Sequence, residues 1–229
     1  MMSDDQLFDF INLLSSPATL KERQSGKYIY ANSPAYSGLG MSSLDQVIGA
    51  TVHDLSFSKS NEGSAWAKEI ERNDWLAWQE KRAVRAVNSF LNEQGLLIYQ
   101  SSTKCPLLGH RGNVVAIVSF GQILTQQLSR RALYVRYKSL CGRERAINKL
   151  LRHLQMESWF AESPTEMELL VLIERSTGKS NAEIAELHKV TVRTVEAQVS
   201  GVRAKLKGDA LPMVLDRLRD RDEIMFDDA

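Results

Sequence analysis

The polar and basic residues between Ser180 and Lys207 have types and a spacing that point to a specific chemistry. Over residues 189–207, five basic side chains stand against one acidic side chain, a local charge of +4 in a chain of net charge +1. Lys and Arg pair with phosphates, whereas Arg, Gln, Glu, Ser and Thr hydrogen-bond to base edges. The combination predicts a surface that binds double-stranded DNA. The candidate residues are Ser180, Lys189, Thr191, Arg193, Thr194, Glu196, Ala197, Gln198, Ser200, Arg203, Lys205 and Lys207.

Short capped helices are predicted to position these residues. Thr165–Glu168 and Ser180–Glu183 each have the Ser/Thr-x-x-Glu pattern of a capping box, which predicts the starts of two helices. Thr191 is expected to cap a third helix over residues 192–206, and Asp209 a fourth. The side chains predicted to face inward from the second and third helices are Ile184, Ala185, Leu187, Val192, Val195, Val199, Val202 and Leu206.

Two short helices, a turn and a longer helix make a helix-turn-helix, whose last helix enters the major groove. Its first turn should meet base edges, so Arg193 is expected to read a base and Lys205 to contact a phosphate. Residues 164–206, with Ser180-Asn-Ala-Glu-Ile-Ala185, Thr194-Val195 and Lys205-Leu206, resemble the DNA-binding domain of LuxR/NarL-type transcription regulators. The resemblance implies an all-α, four-helix module that binds DNA as a dimer, often with the fourth helix at the dimer contact.

Two positions depart from the pattern of that family. Glu196 stands where a basic residue is usual, and Gln198 stands where a His is frequent. A carboxylate repels phosphate but can accept a hydrogen bond from the amino group of cytosine. The departures therefore put the usual DNA sequence in doubt, not DNA binding.

The N-terminal half mixes predicted helices and strands. Residues 6–14 place apolar side chains on one helical face, and residues 62–91 are helical in composition. Ser43–Gln46 matches a capping box, which predicts a further short helix. Aromatic and β-branched runs predict three strands, at residues 27–32, 96–103 and 114–120. The turn at residues 109–113 should join the last two strands in an antiparallel hairpin.

Three segments of this half resemble, in order, blocks of a PAS domain: residues 23–36, 47–55 and 104–120. The resemblance implies a five-stranded antiparallel sheet with short helices over one face, enclosing a small cavity. The expected fold class is therefore an α+β PAS-like domain followed by the all-α four-helix domain. An unidentified small ligand in the cavity is an expectation, with Trp66, Trp75 and Tyr99 as candidate lining residues.

No cofactor, metal or catalytic activity is predicted. Neither Cys105 nor Cys141 lies in the reactive motif of a flavin photosensor, and His53 alone is a weak basis for haem ligation. No two of the four histidines share a metal-ligand spacing. The sequence has no Gly-x-Ser-x-Gly, phosphate-loop or His-Glu-x-x-His motif, so an enzyme is not expected.

Composition and charge divide the chain into three predicted segments: a PAS-like domain (1–125), a basic helical connector (126–159) and the helix-turn-helix domain (160–229). The connector carries eight basic residues and one acidic residue over 126–156, and Gly142 should divide it into two helices. It is interpreted as a solvated cationic face, a dimerisation helix or a phosphate-facing stripe. No apolar run reaches 18 residues and the N-terminus is acidic, so a cytoplasmic protein that does not enter a membrane is expected.

These predictions favour a bacterial transcription regulator. The PAS-like domain would bind a small-molecule signal or a partner, and two chains would pair as a homodimer to read two DNA half-sites. One alternative keeps the DNA-binding domain and makes the front an acyl-homoserine-lactone receptor, although the chain has no Asp-Pro dipeptide, part of that class's constellation. A phosphorylated receiver is weaker still, and a signalling adaptor that never contacts DNA is a third reading.

Overall fold

The computed structural model describes residues 4–55, 61–92 and 94–219. The chain divides into two compact units, Met1–Gln126 and Gln127–Ala229. The first boundary falls one residue from the predicted end of the PAS-like domain. The predicted connector is not a separate body, because residues 127–159 belong to the second unit. Residues 220–229, which include five acidic side chains, lie outside the described residues.

The first unit is an antiparallel sheet with helices. Its helices are α1 (Asp4–Leu13), α2 (Ser33–Gly38) and α3 (Asn61–Glu80). Its strands are β1 (Ala18–Glu22), β2 (Tyr28–Ala31), β3 (Val84–Leu91), β4 (Leu97–Leu108) and β5 (Val114–Ile123). All neighbouring strands are antiparallel, in the order β2-β1-β5-β4-β3. The five-stranded antiparallel sheet and the β4–β5 hairpin are therefore confirmed.

The sequence analysis missed two strands, β1 and β3. The prediction that residues 62–91 are helical was wrong beyond Glu80, where α3 ends. β3 pairs with β4 along its whole length, from Val84 opposite Lys104 to Leu91 opposite Leu97. The segment has a helical composition, but pairing with β4, which lies later in the chain, makes it a strand. No local sequence pattern reveals that pairing.

The capping box predicted at Ser43–Gln46 does not form. Residues Leu44–Gln46 make a single 3-10 turn, and the Ser43 side chain makes no capping hydrogen bond. The Gln46 side-chain oxygen instead accepts a hydrogen bond from the backbone N–H of Ser42 at 2.9 Å. Gln46 therefore binds one residue before the Ser43 N–H that a capping box uses, and the reciprocal pair of hydrogen bonds does not form.

Each face of the sheet has its own core. On one face, Tyr28, Val47 and Phe90 pack with Trp66 of α3, and the rings of Trp66 and Phe90 are stacked. On the other face, Ile11 of α1 covers Leu20 and Val118. Side chains alternate between the faces along each strand, so neighbouring residues of β4 serve different surroundings.

Asn32 fastens α1 to the sheet. This buried side chain follows β2, and its oxygen accepts hydrogen bonds from the backbone N–H groups of Ala18 (2.9 Å) and Ala35 (3.1 Å). Its amide nitrogen lies within hydrogen-bond distance of the carbonyls of Ile11, Leu14 and Ser16. One side chain thereby caps α2 and satisfies the C-terminal carbonyls of α1 and the loop that follows.

The second unit is helical. Its helices are α4 (Arg130–Cys141), α5 (Arg143–His153), α6 (Glu166–Ser176), α7 (Asn181–His188), α8 (Val192–Lys205) and α9 (Leu211–Leu218). Gly142, with a φ of +78°, separates α4 from α5, as predicted. Two ion pairs hold α4 to α6: Arg131 with Glu174 at 2.7 Å, and Lys138 with Glu166 at 2.6 Å.

Replacing Asn32 by Ala is expected to lower the free energy of unfolding of the first unit by about 2–4 kcal/mol, because it removes a helix cap and leaves buried backbone groups unpaired. Urea denaturation followed by tryptophan fluorescence measures this, since three of the four tryptophans lie in the first unit. The control is S33A at the exposed neighbouring position. Equal stability of the two variants would contradict the role given to Asn32.

Candidate nucleic-acid interface and ligand cavity

α7 and α8 are joined by a very tight turn. Ser180 forms a complete capping box with Glu183 at the start of α7, as predicted. Lys189 has a left-handed φ of +54° and ends α7. Thr191 caps α8 by accepting a hydrogen bond from the backbone N–H of Thr194 at 3.1 Å. The two helices therefore meet within three residues, Lys189–Thr191.

One stripe of α8 is buried against α6 and α7. Val195 and Val199 pack with Val171 of α6 and Ile184 of α7, and Val202 is also fully buried. The opposite side of α8 is exposed to solvent. The exposed predicted residues on it are Arg193, Glu196, Ala197, Ser200 and Arg203.

Two apolar residues predicted to face inward are not buried. Leu187 is 46% exposed and Val192 is 42% exposed. Both lie beside the turn, where α7 ends and α8 begins. Val192 continues the spacing of the buried stripe, but at the first position of α8 it lies outside the cluster formed by Val195 and Val199. Helical periodicity gives the direction of a side chain and not the extent of the neighbouring helices.

Of the other predicted DNA-binding residues, Ser180 caps α7, Gln198 lies in the middle of α8, and the rest lie at or beside the two ends of α8. Ser180, Lys189, Thr191 and Lys207 are exposed, whereas Thr194 and Gln198 are partly buried. The hydroxyl groups of Thr191 and Thr194 are 2.9 Å apart and are hydrogen-bonded to each other. The exposed cations on α8 itself are Arg193 in its first turn and Arg203 in its last turn.

Lys205 points into the protein. Its ammonium lies 2.7 Å from a carboxylate oxygen of Glu168, whose side chain is 7% exposed. The same oxygen of Glu168 accepts the backbone N–H of Thr165 in the capping box of α6. A β-carbon added at Gly201 would lie 2.5 Å from the other carboxylate oxygen of Glu168. Glu168 thus joins the start of α6 to the end of α8.

The environment of Glu168 stabilises its charged form. Burial by itself would raise the pKa of this carboxyl, but the hydrogen bonds from Lys205 and Thr165 outweigh burial and hold the pKa below its ordinary value of 4.5. The resulting stabilisation is therefore present above about pH 4.5 and is lost as the pH falls through the lowered pKa of the folded state.

Several basic residues of the predicted connector are also paired. Besides Arg131 and Lys138 of α4, Arg152 of α5 lies 3.2 Å from Glu157. Glu174 is buried and binds Lys179 as well as Arg131, each at 2.7 Å. The charge that the sequence places on this segment therefore contributes in part to the packing of the second unit rather than to a continuous cationic stripe.

A cavity of about 80 Å³ lies in the first unit, on the face of the sheet that α3 covers. Its wall includes aromatic side chains and polar ones, among them Tyr28, Trp66, Phe90, Asn88, Ser102 and Lys104. The expectation that Trp75 and Tyr99 line the cavity was wrong. Trp75 is 49% exposed on α3, and Tyr99 alternates with the lining residues Ile98 and Gln100 of β4 and so points to the opposite face.

Among the described residues, two buried lysines, Lys21 and Lys104, share one acidic partner, and Lys104 also lines this cavity. Asp74 of α3 lies 2.7 Å from the ammonium of Lys21 and 3.0 Å from that of Lys104. The Lys21 and Lys104 side chains are 3% and 7% exposed. Burial would raise the pKa of Asp74, but the two cations outweigh it and lower the pKa. With two ammonium groups and one carboxylate, the cluster has a net charge of +1.

Further polar groups in the wall complete the cavity. The Ser119 hydroxyl accepts a hydrogen bond from Lys104 at 3.0 Å. Within the described part of the chain, the side-chain oxygens of Asn88 and Ser102 are buried and have no hydrogen-bond partner. Burial raises the pKa of Tyr28, so this phenol stays protonated. Lys21 and Lys104 face inward from their strands. Lysine is mostly an exposed residue type, so the sequence contains no signal that these two are buried.

The structure resembles solved structures that cover both units. The VqmA–ligand–DNA complex of Vibrio cholerae matches 96% of this chain and 88% of that chain, at 19% sequence identity and a TM-score of 0.50. The phage VqmA–DPO complex matches 93% of this chain and 86% of that chain, at 25% identity and a TM-score of 0.51. The PAS domain of Bordetella pertussis BvgS matches 53% of this chain and 88% of that chain, at 17% identity and a TM-score of 0.45.

The two VqmA matches confirm, at the level of the fold, the resemblance to a LuxR-type regulator with a PAS-like domain. No family model and no curated protein matches the sequence. Among the described residues, no helix is both long enough and apolar enough to cross a bilayer.

Replacing Glu168 by Gln is expected to destabilise the second unit by about 1–3 kcal/mol at pH 7, because Lys205 then lacks a charged partner. The difference from the unchanged chain should begin to shrink below about pH 4.5, where the unfolded chain takes up a proton at Glu168, and should disappear only below the lowered pKa of the folded state. Urea titrations at pH 7 and pH 4 measure both effects, and E162Q, at an exposed position, is the control. A difference that is independent of pH would show that the ion pair is not its cause.

Proposed function

We propose that the chain is a transcription regulator that binds DNA through a helix-turn-helix made by α7 and α8, under the control of a small ligand bound in the first unit. The observation that carries the proposal is the exposed side of α8. It presents Arg193, Glu196 and Arg203, with small residues between them, next to a turn of three residues. This is the shape and chemistry that the major groove accepts.

The position along α8 separates the proposed roles. Arg193 in the first turn is placed to donate to guanine, and Glu196 to accept from an amino group of cytosine. Arg203 and Lys207, at the far end, are placed to contact phosphates. Lys205 leaves the phosphate-contacting set, because its ammonium is bound to Glu168. Ser180, Lys189 and Thr191 lie at the helix ends, where backbone-phosphate contacts are usual.

The similarity to solved structures supports two further parts of the proposal, control by a small ligand and pairing as a homodimer. One solved neighbour is a complex with both a ligand and DNA, and another is a complex with DPO. A homodimer that places two copies of α8 about one helical turn apart would read two half-sites. The small ligand would act by binding one arrangement of the dimer more tightly than another.

The cavity in the first unit suits a small ligand with a hydrogen-bond acceptor or a negative charge. Lys104 lines the cavity, and the positive charge that it and Lys21 carry in excess of Asp74 can be balanced by such a group. The buried oxygens of Asn88 and Ser102 can accept from ligand N–H or O–H groups. A volume of about 80 Å³ favours a compact ring over an acyl-homoserine lactone with its chain.

Two arginines test the DNA-binding surface. Replacing Arg203 by Gln should weaken binding to all DNA sequences about equally and reduce the slope of log affinity against log salt by about one. Replacing Arg193 by Gln should also change the preferred sequence, by about 1–3 kcal/mol at one base pair. Binding of the full chain to a sequence selected in vitro, at several salt concentrations, measures both.

The matched control is R152Q, which removes an exposed arginine that is paired with Glu157 on the same unit. This variant should bind DNA like the unchanged chain. Binding of the unchanged chain that does not weaken with salt would contradict the proposed function itself. Equal effects of R193Q and R203Q on every sequence would contradict only the division of roles between them.

Replacing Lys104 by Met is expected to abolish ligand binding while Lys21 still balances Asp74, so that the unit folds. The first measurement is mass spectrometry of small molecules extracted from the purified chain and from K104M. The second is calorimetric titration with DPO, the ligand of the phage neighbour. K27M, at an exposed position just before β2, is the control. Equal ligand recovery from K104M and K27M would refute a role for Lys104.

A further inference from the structure

The first residue of α8 is an apolar side chain in an unexpected place. Val192 is 42% exposed, whereas Val195 and Val202 are fully buried and Val199 is 8% exposed. These four valines have the spacing of one helical stripe. Within the described residues, the buried cluster that contains Val195 and Val199 does not include Val192. The side chain therefore contributes little to the packing of the unit.

An exposed valine at this position has no evident benefit for the free chain. β-branched residues are weaker helix formers than Ala or Leu, so local helix stability does not favour Val at the start of α8. The neighbouring threonine hydroxyls, Thr191 and Thr194, are engaged with each other at 2.9 Å. Val192 and Arg193 are thus the first-turn side chains that remain available to a partner.

We infer that Val192 is a specificity-determining residue that contacts the C5 methyl group of a thymine in the major groove. The inference rests on the proposed DNA binding by α8. Among the natural bases, thymine alone offers an apolar group at its major-groove edge. The first turn of the inserted helix is the part that reaches base edges. An apolar side chain there has one apolar target on the duplex.

Val192 complements the polar side chains beside it. Arg193 can donate to guanine and Glu196 can accept from a cytosine amino group, but neither distinguishes thymine by its methyl. Val192 adds that discrimination. The chain's half-site should therefore contain a thymine whose methyl group, and not its hydrogen-bonding pattern, determines the preference.

Uracil in place of thymine isolates this contact, because it removes the methyl group and leaves every hydrogen-bonding atom in place. The preferred sequence is first selected in vitro with the full chain, and each thymine is then replaced singly by deoxyuridine. The unchanged chain should lose about fourfold in affinity at one thymine per half-site, the effect expected for burying one methyl group. V192A should bind the thymine and deoxyuridine duplexes equally at that position.

Leu187 supplies the matched control. It is similarly exposed, at 46%, but lies on α7 at the other side of the turn. L187A should keep the fourfold difference between thymine and deoxyuridine. Circular dichroism should show both variants folded, since each truncates an exposed side chain.

Three results would overturn the inference: no thymine position sensitive to deoxyuridine, a difference that persists in V192A, or a selected site without thymine. In each of these cases the chain still binds a selected sequence with a steep salt dependence, so the proposed function stands. Failure to select any sequence, together with binding that salt does not weaken, would overturn the proposed function and the inference with it.

Discussion

The burial of one valine stripe determines what α8 can offer to a duplex. With Val195, Val199 and Val202 held against α6 and α7, the 3.6-residue period of the helix leaves Arg193, Glu196 and Arg203 on the free side. Two polar contacts fix α8 at its ends. Thr191 caps its N-terminal end, and the ion pair between Glu168 and Lys205 holds its C-terminal end against α6. The pattern of groups on the candidate DNA surface follows from packing and not from the polar residues themselves.

In the first unit, in contrast, the charged groups that matter are buried and not exposed. Two lysines and one aspartate withdrawn from water cost more than a packed apolar cluster of the same volume. Of the three, Lys104 lines the cavity together with Asn88 and Ser102, whose side-chain oxygens have no hydrogen-bond partner among the described residues. The proposed compact ligand, with an acceptor or a negative charge, would satisfy these groups together and would compensate for an arrangement that stability alone disfavours.

Local interactions were easier to predict from the sequence than distant ones, although the capping box predicted at Ser43–Gln46 does not form. The capping boxes at Thr165 and Ser180 need only four consecutive residues, and both form. Lys205 turns inward because it binds Glu168, 37 residues earlier. Its local sequence does not show this contact, so the sequence analysis predicted that this lysine lies on the DNA surface. β3 likewise depends on pairing with β4. The exposure of Val192 depends on where the neighbouring helices stop, which a periodic pattern does not encode.

A short segment of the chain joins the unit that contains the cavity to the unit that contains α8. Thr125 is buried and its hydroxyl accepts the backbone N–H of Tyr99, while Ser129 caps α4, so only residues 126–128 separate the sheet from the helical unit. α4 then holds α6 through Glu174, and α6 holds α8 through Glu168. A tenfold change in DNA affinity needs about 1.4 kcal/mol of difference between two arrangements. One charge-assisted hydrogen bond from Lys104 to a ligand, about 1.5–3 kcal/mol, supplies that difference if it forms in only one of them.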